Sequence, residues 1–340
     1  MSGNDLASIA QAMVAPGKGI LAIDESLGTI RKRFDSVHVE STEENRRAYR
    51  ELLITVPGGG EYISGMILFD ETIRQHTRDG VPFVQVLADQ GILPGIKVDA
   101  GAKDLAGHPG EKVTEGLDGL RERLAEYAQL GAKFAKWRTV ITIGEGIPSS
   151  GCIEANAHAL ARYAALCQEA GLVPIVEPET LMDGDNTIER CYEVTELTLR
   201  TVFSELHRQR VVTEHTILKV NMVVPGKKCP DQAGVEQVAD LTVRCLKNCV
   251  PAALPGVVFL SGGQSARDAT VHLDAMNRKY PDLPWPLSFS YGRALQEPSL
   301  KAWAGRPENV EAAQAALLHR EKCNSLAALG RYDESLEEAA

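Results

Sequence analysis

Eight short apolar runs, longer stretches of helical period between most of them, and charged residues of common parity near the ends of four runs predict an α/β fold. Strands that alternate with helices pair in parallel, and eight is the number that closes a TIM barrel. The predicted architecture is therefore a (β/α)8 barrel, a single domain over residues 1–340. Its main competitor, an open doubly wound sheet, usually carries GxGxxG after its first strand. Here that turn reads DESLGT. The nearest lookalike, GEGIPSSG, has the wrong spacing and follows the fourth strand.

In chain order the strands are predicted at GILAIDES, ISGMILFD, FVQVLADQ, AKFAKWRT, LVPIVEPE, ILKVNMVV, GVVFLSGG and LSFSYGRA. Each is rich in β-branched or aliphatic residues. Between them, Leu117, Leu120, Leu124 and Tyr127 fall on one helical stripe, as do Leu199, Val202, Phe203 and Leu206. Asn186 followed by Glu189 resembles a capping box that opens a long helix toward Arg210. Pro307 stands where the first turn of the final helix is expected. The last eight residues, DESLEEAA, read as a flexible acidic tail, 333–340.

Composition narrows the function. At 44% hydrophobic residues the chain can bury a large core. No apolar run approaches the roughly 20 residues of a membrane helix, and MSGNDLASIA lacks the pattern of a secretory signal. A cytoplasmic protein is expected. The net charge of −10 argues against nucleic acid or an anionic membrane as partner. The seven cysteines are scattered and suit a reducing compartment. Cys245 and Cys249 are expected to pack in the core rather than bind zinc, and the eight histidines show no metal-binding spacing.

Chemistry enters through TILKVNMVVPG, an apolar strand with Lys219 at its centre. A buried ammonium without a partner is costly enough to lose its proton. Side chains alternate along a strand, so Lys136 and Arg138 share a face, as do Glu177 and Glu179, Lys219 and Asn221, and Asp24 and Ser26. Each pair lies toward the C-terminal end of its strand, the active-site face of such a barrel. Taken singly, each pair fits a solvated strand end or an ion-pair network as well as a site. Four pairs at one depth and parity point to a shared site. A lysine beside other cations offers a neutral amine that attacks carbonyls, and the carboxylates supply acid and base.

Two glycine turns add an anion site. The seventh strand runs into Ser261-Gly262-Gly263-Gln264-Ser265 and the eighth into Ser290-Tyr291-Gly292-Arg293. Barrels often bind phosphate on these two loops, where backbone N–H groups and an arginine fork reach the anion. Lys97, after the third strand, fits an ordinary surface lysine better than a second phosphate contact on this reading alone.

The segments GKGILAIDES, GIKVD, FAKWR, IVEPE, LKVNM, LSGGQS and SYGRALQ, in this order and across nearly the whole chain, resemble class I fructose-1,6-bisphosphate aldolase. The resemblance implies a TIM barrel, usually a homotetramer, with neither metal nor cofactor. It implies reversible cleavage of a phosphosugar, fructose 1,6-bisphosphate, into dihydroxyacetone phosphate and glyceraldehyde 3-phosphate. By position it gives Lys219 the Schiff base, Glu177 the acid–base role in carbinolamine dehydration, and Asp24 a part in C–C cleavage. Lys136 helps to position Glu177 and a substrate hydroxyl. Glu179 hydrogen-bonds Lys219, with Arg138 as a basic neighbour. Ser261, Gly262, Gly292 and Arg293 resemble the site for the ketone-side phosphate, and Ser26 and Lys97, with Thr29, that for the aldehyde side; Gly263 and Ser290, in the same motifs, are further substrate-binding candidates. Thr29 stands where many members have serine. The tail lacks the terminal tyrosine common in vertebrate and plant members.

Overall fold

A computed structural model describes residues 3–339. Eight parallel strands close into a barrel: β1 (Gly19–Ala22), β2 (Ile63–Leu68), β3 (Leu93–Lys97), β6 (Phe134–Ile141), β7 (Val173–Thr180), β8 (Ile217–Val220), β9 (Val257–Phe259) and β10 (Leu287–Tyr291). The spatial order is β1-β10-β9-β8-β7-β6-β3-β2, so neighbours in sequence are neighbours in space. β4 (Ala102–Asp104) and β5 (Lys112–Thr114) form a separate antiparallel ribbon between β3 and β6. Nothing in the sequence reading anticipated that ribbon.

The third strand corrects the prediction. FVQVLADQ folds as the helix Phe83–Asp89, with Phe83 and Leu87 buried one turn apart. The barrel strand lies further on, in LPGIK. Pro94 and Gly95 make that segment look like a turn. Gly95 is required there because the Phe134 ring occupies the place a Cβ would take, and the same ring presses on Gly65 of β2. Strand glycines of this kind mark close approach inside a barrel.

The helix boundaries also shift. The helix Ile188–Arg208 is capped by Thr187, whose hydroxyl accepts from the Arg190 N–H at 3.3 Å, and not by Asn186. Leu117 precedes the helix Leu120–Gln129 that carries the rest of its stripe. Pro307 opens a 3₁₀ turn, Pro307–Asn309, that leads into the last long helix, Val310–Ala328.

Burial is split between two layers. Apolar side chains between strands and outer helices make the larger core. The barrel interior is filled by Ile20, Ile67, Phe134, Val173, Ile175, Ile217 and Val258. The helix Gly3–Met13 inserts Leu6, Ala10 and Met13 into this second cluster. It covers the barrel at the N-terminal ends of the strands, opposite their C-terminal ends.

Of the predicted acidic tail, 333–340, the last residue, Ala340, lies outside the described residues. Residues Glu334–Ala339 form a 3₁₀ turn. Glu334 pairs with Arg267, and Glu337 pairs with Arg320 and accepts from the Tyr332 hydroxyl at 2.7 Å. Charge composition suggested a solvated end; the basic side chains that hold it lie far away in sequence.

Candidate active site

At the C-terminal ends of the strands lies a cavity of about 600 Å³. It is bordered by Lys219, Glu177, Asp24, Lys136, Glu179 and Arg138, by Ser26, Thr29 and Lys97, and by Ser261, Gly262, Ser290, Gly292 and Arg293. Ala22, Phe69, Val140 and Leu260 supply apolar wall. Adjacent strands deliver the charges because their register aligns them: Lys97 pairs with Lys136 across β3 and β6, and Arg138 with Glu177 across β6 and β7.

Four groups form a connected chain. Lys136 Nζ lies 2.7 Å from Asp24 Oδ2 and 3.3 Å from Glu177 Oε2. Glu177 Oε1 lies 3.0 Å from Lys219 Nζ. Lys136, Glu177 and Lys219 are each at most 4% exposed. Stripping water from an ion costs several kcal/mol, roughly, so such charges persist only with partners at this range. Burial opposes the ionisation of Asp24, but Lys136 and Lys219 outweigh it and hold the carboxyl at about 2. Glu177 is likewise lowered against its burial by Lys136, Lys219 and Arg138. Burial works against the ammonium of Lys136, yet Asp24 and Glu177 raise its pKa well above the usual lysine range. Ser290, which also borders the cavity, has a buried Oγ with no hydrogen-bond partner among the described residues.

Glu179 pairs with Arg138, so the bond expected between Glu179 and Lys219 is made by Glu177 instead. The long guanidinium reaches past its cross-strand neighbour Glu177 to the next residue on that face. Asn221 also departs from expectation. β8 ends at Val220, so alternation stops before it. Its Oδ1 accepts from the Thr180 N–H at 2.9 Å and its Nδ2 donates to Thr195 Oγ1 at 3.2 Å, away from Lys219.

The anion candidates sit on helix starts and turns. Gly262 has φ +55, a conformation that favours glycine. The chain reverses there, and the Gly263 N–H turns out of the cavity to donate to Met182 Sδ at 3.1 Å. Gly263, unlike Gly262, is not among the residues that border the cavity. Arg293 begins the helix Arg293–Trp303, whose free N–H groups attract anions. Its Nη2 donates to Gln264 O at 2.9 Å and Gly262 O at 3.2 Å. Ser26 caps the helix Leu27–Asp35, with its Oγ 3.1 Å from Thr29 Oγ1. Lys97 ends β3 and lies 2.7 Å from Asp99.

Three charged cavity residues were not among the sequence candidates. Asp99 also accepts from the Arg138 N–H at 3.2 Å. It lies two residues past the end of β3, beside Lys97, and placing the third strand correctly would have put it at the mouth of the barrel. Glu25 is held by Arg33 and by Arg50 at 2.6 Å, and accepts from Gln296 Nε2 at 2.8 Å. Burial raises its pKa, but Arg50 and Arg33 outweigh it, so Glu25 is lowered overall. Arg33 borders the cavity two helical turns beyond Ser26, a spacing that would have revealed it.

Residues 5–340 match the model of the family described as glycolytic class-I fructose-bisphosphate aldolase. The chain is 66% identical over 98% of its length to a probable fructose-bisphosphate aldolase class 1 of Xanthomonas campestris pv. campestris, 99% of which is covered. It is 56% identical to the cytosolic fructose-bisphosphate aldolase 4 of Arabidopsis thaliana, over 96% of this chain and 83% of that one. A co-crystal structure of fructose-bisphosphate aldolase from Plasmodium falciparum superposes with a TM-score of 0.96 at 51% identity, covering 97% of this chain and 95% of that one. The chain belongs to the class I fructose-bisphosphate aldolases, lyases that reversibly cleave fructose 1,6-bisphosphate to dihydroxyacetone phosphate and glyceraldehyde 3-phosphate through a lysine Schiff base.

Proposed function

We propose that Lys219 is the lysine that forms the Schiff base. The observation that carries this reading is the 3.0 Å approach of its Nζ to Glu177 Oε1 inside the cavity. Glu177 takes the proton the ammonium must lose before its nitrogen attacks the C2 ketone. It returns a proton when the carbinolamine loses its hydroxyl as water. The iminium then draws electrons from the C3–C4 bond as the C4 hydroxyl gives its proton to Asp24, already ionised at neutral pH. The aldehyde leaves, and the remaining enamine is protonated at C3 and hydrolysed to the ketone. Lys136 steadies both carboxylates through its paired contacts. Glu179 orients Arg138. The unpaired Ser290 Oγ is a ready donor to substrate.

The phosphates divide between two groups on this reading. Ser261, Gly262, Gly292 and Arg293 take the ketone-side phosphate, and Ser26, Thr29 and Lys97 the aldehyde-side one. Incubation with dihydroxyacetone phosphate followed by borohydride reduction should label the peptide containing Lys219. A label on another lysine, or none, would refute the assignment.

A homotetramer is the assembly the family resemblance implies. Light scattering in solution should return four times the mass of the chain, and a monomer mass would overturn it. We place the enzyme in the cytoplasm, on the strength of relatives named cytosolic and of seven cysteines that all stand free. Among the described residues no helix is long and apolar enough to cross a membrane.

A further inference from the structure

Behind the turn Ser261-Gly262-Gly263-Gln264 lies a second cavity, of about 430 Å³, bordered by none of the four groups that carry the proposed chemistry. His272, on the helix Ala266–Lys279, forms part of its wall and is buried. Its Nδ1 lies 2.6 Å from Oε1 of Gln264. The other end of that amide fixes its orientation. Gln264 Nε2 donates to Ser261 O at 3.3 Å and approaches Met222 Sδ at 3.7 Å. A carbonyl and a thioether are acceptors only, so the NH₂ group must face them and the amide oxygen must face the imidazole. Nδ1 therefore carries the proton, and His272 is the donor. Burial lowers the pKa of the ring, against the pull of Asp268, and the ring stays neutral at physiological pH.

The turn that Gln264 closes holds two adjacent glycines, one in the left-handed region. Such a segment has wide conformational freedom and loses much of it when a ligand is bound. An external brace removes part of that loss in advance. The brace also reaches the arginine, because the Gln264 and Gly262 carbonyls are the acceptors that aim Arg293 Nη2.

We propose that His272 is a positioning residue for the ketone-side phosphate: through Gln264 it fixes the Ser261–Gln264 turn and the direction of Arg293. The proposal rests on the assignment of that phosphate to this turn and to Arg293.

The test uses the full-length enzyme and follows KM and kcat for fructose 1,6-bisphosphate, Ki for dihydroxyacetone phosphate, and Tm. His272→Leu removes the donor and keeps apolar bulk. His272→Asn restores an N–H in place of Nδ1. His272→Leu should raise KM and Ki about fivefold to tenfold with kcat within about twofold, the signature of lost preorganisation. His272→Asn should stay within about twofold of the parent in all three constants. Combining His272→Leu with Gln264→Leu should add nothing to Gln264→Leu alone, since that change already breaks the bond to His272. A parental KM for His272→Leu, equal impairment of the Leu and Asn variants, or independent effects in the double variant each overturn the proposal. If His272→Leu does not fold, Gln264→Leu carries the same test: raised KM and Ki at parental kcat support the brace, and parental constants overturn it. Arg293→Ala separates the two levels of the argument. If it leaves KM and Ki unchanged, the phosphate assignment fails and the proposal with it. If it raises both while His272→Leu raises neither, the turn binds phosphate and His272 does not position it.

Discussion

Lys136 spans two carboxylates that need different things from it. Asp24, at 2.7 Å, is kept ionised down to a pH of about 2, so it is a base at all physiological pH. Glu177 faces Lys136 with one oxygen and Lys219 with the other, so a proton can pass to or from the amine without rearrangement. Replacing Glu177 by Gln keeps the volume and removes the proton carrier. The cleavage kcat should fall by at least about 10²-fold, the scale of positioned acid–base catalysis. A fall of only a few-fold would make Glu177 a structural partner of the two lysines. The charges on β6, β7 and β8 were legible in the sequence because strand parity is a local rule. Asp99, Glu25 and Arg33 were not, because one hung on a misplaced strand and the others act from the loop and helix after β1. Likewise the sequence does not show that the Gly263 N–H donates to Met182, since that follows from the left-handed conformation of Gly262.

At the scale of the element, periodicity located seven of the eight barrel strands and missed the one whose composition is set by a neighbour. Pro94 and Gly95 depress strand propensity in β3, but the Phe134 ring needs that space, and packing outweighs propensity. The helix Val310–Ala328 carries the opposite anomaly, a charge where packing wants none. Glu321 is fully buried beside the Gly59–Glu61 turn, and both its oxygens lack hydrogen-bond partners among the described residues. Burial raises its pKa well above the ordinary 4.5, so in the folded state it stays protonated. The unfolded chain releases that proton near its ordinary value. The contribution to stability is thus fully present below about pH 4.5 and is lost as pH rises toward the folded value. Glu321→Met, of similar volume, removes this dependence and an unpaired polar group worth about 1–3 kcal/mol. Its Tm should exceed the parent's clearly at pH 8 and much less at pH 5. An equal gap at both pH values, or a lower Tm at pH 8, would show that the carboxyl is satisfied in solution.

Over the whole molecule, the alternation of strand and helix is enough to predict a closed barrel, because few topologies satisfy it. Where the chain end goes was not legible, since Arg267 and Arg320 meet it only after folding. Arg320 is 4% exposed and donates to Ala266 O and Thr270 Oγ1 as well as to Glu337, so it joins the last long helix, the helix Ala266–Lys279, and the tail. Ending the chain after Tyr332 strips Arg320 of its carboxylate and Tyr332 of its acceptor. Stability should drop by about 1–3 kcal/mol, read from denaturant midpoints, the cost of leaving buried polar groups unmatched. The kcat should stay within about tenfold, since neither residue borders the cavity. A large loss of kcat at unchanged stability would give the tail a chemical role.

The helix Gly3–Met13, which stops the barrel at its base, sets the traffic through the enzyme. A vessel with a floor has one doorway, and substrate, products and water share it. Once the C3–C4 bond breaks, the ketone half is still tethered to its lysine at the bottom of the vessel while the aldehyde half is free. On the assignment proposed above, an aldehyde still in the doorway would stand between that ketone and the water that must release it, so the aldehyde is expected to leave first. Queueing of this kind needs no moving part, only a blocked exit. In the reverse direction the same geometry imposes the mirror order: the ketone must enter and attach before the aldehyde follows, and an aldehyde that arrives early obstructs its own partner.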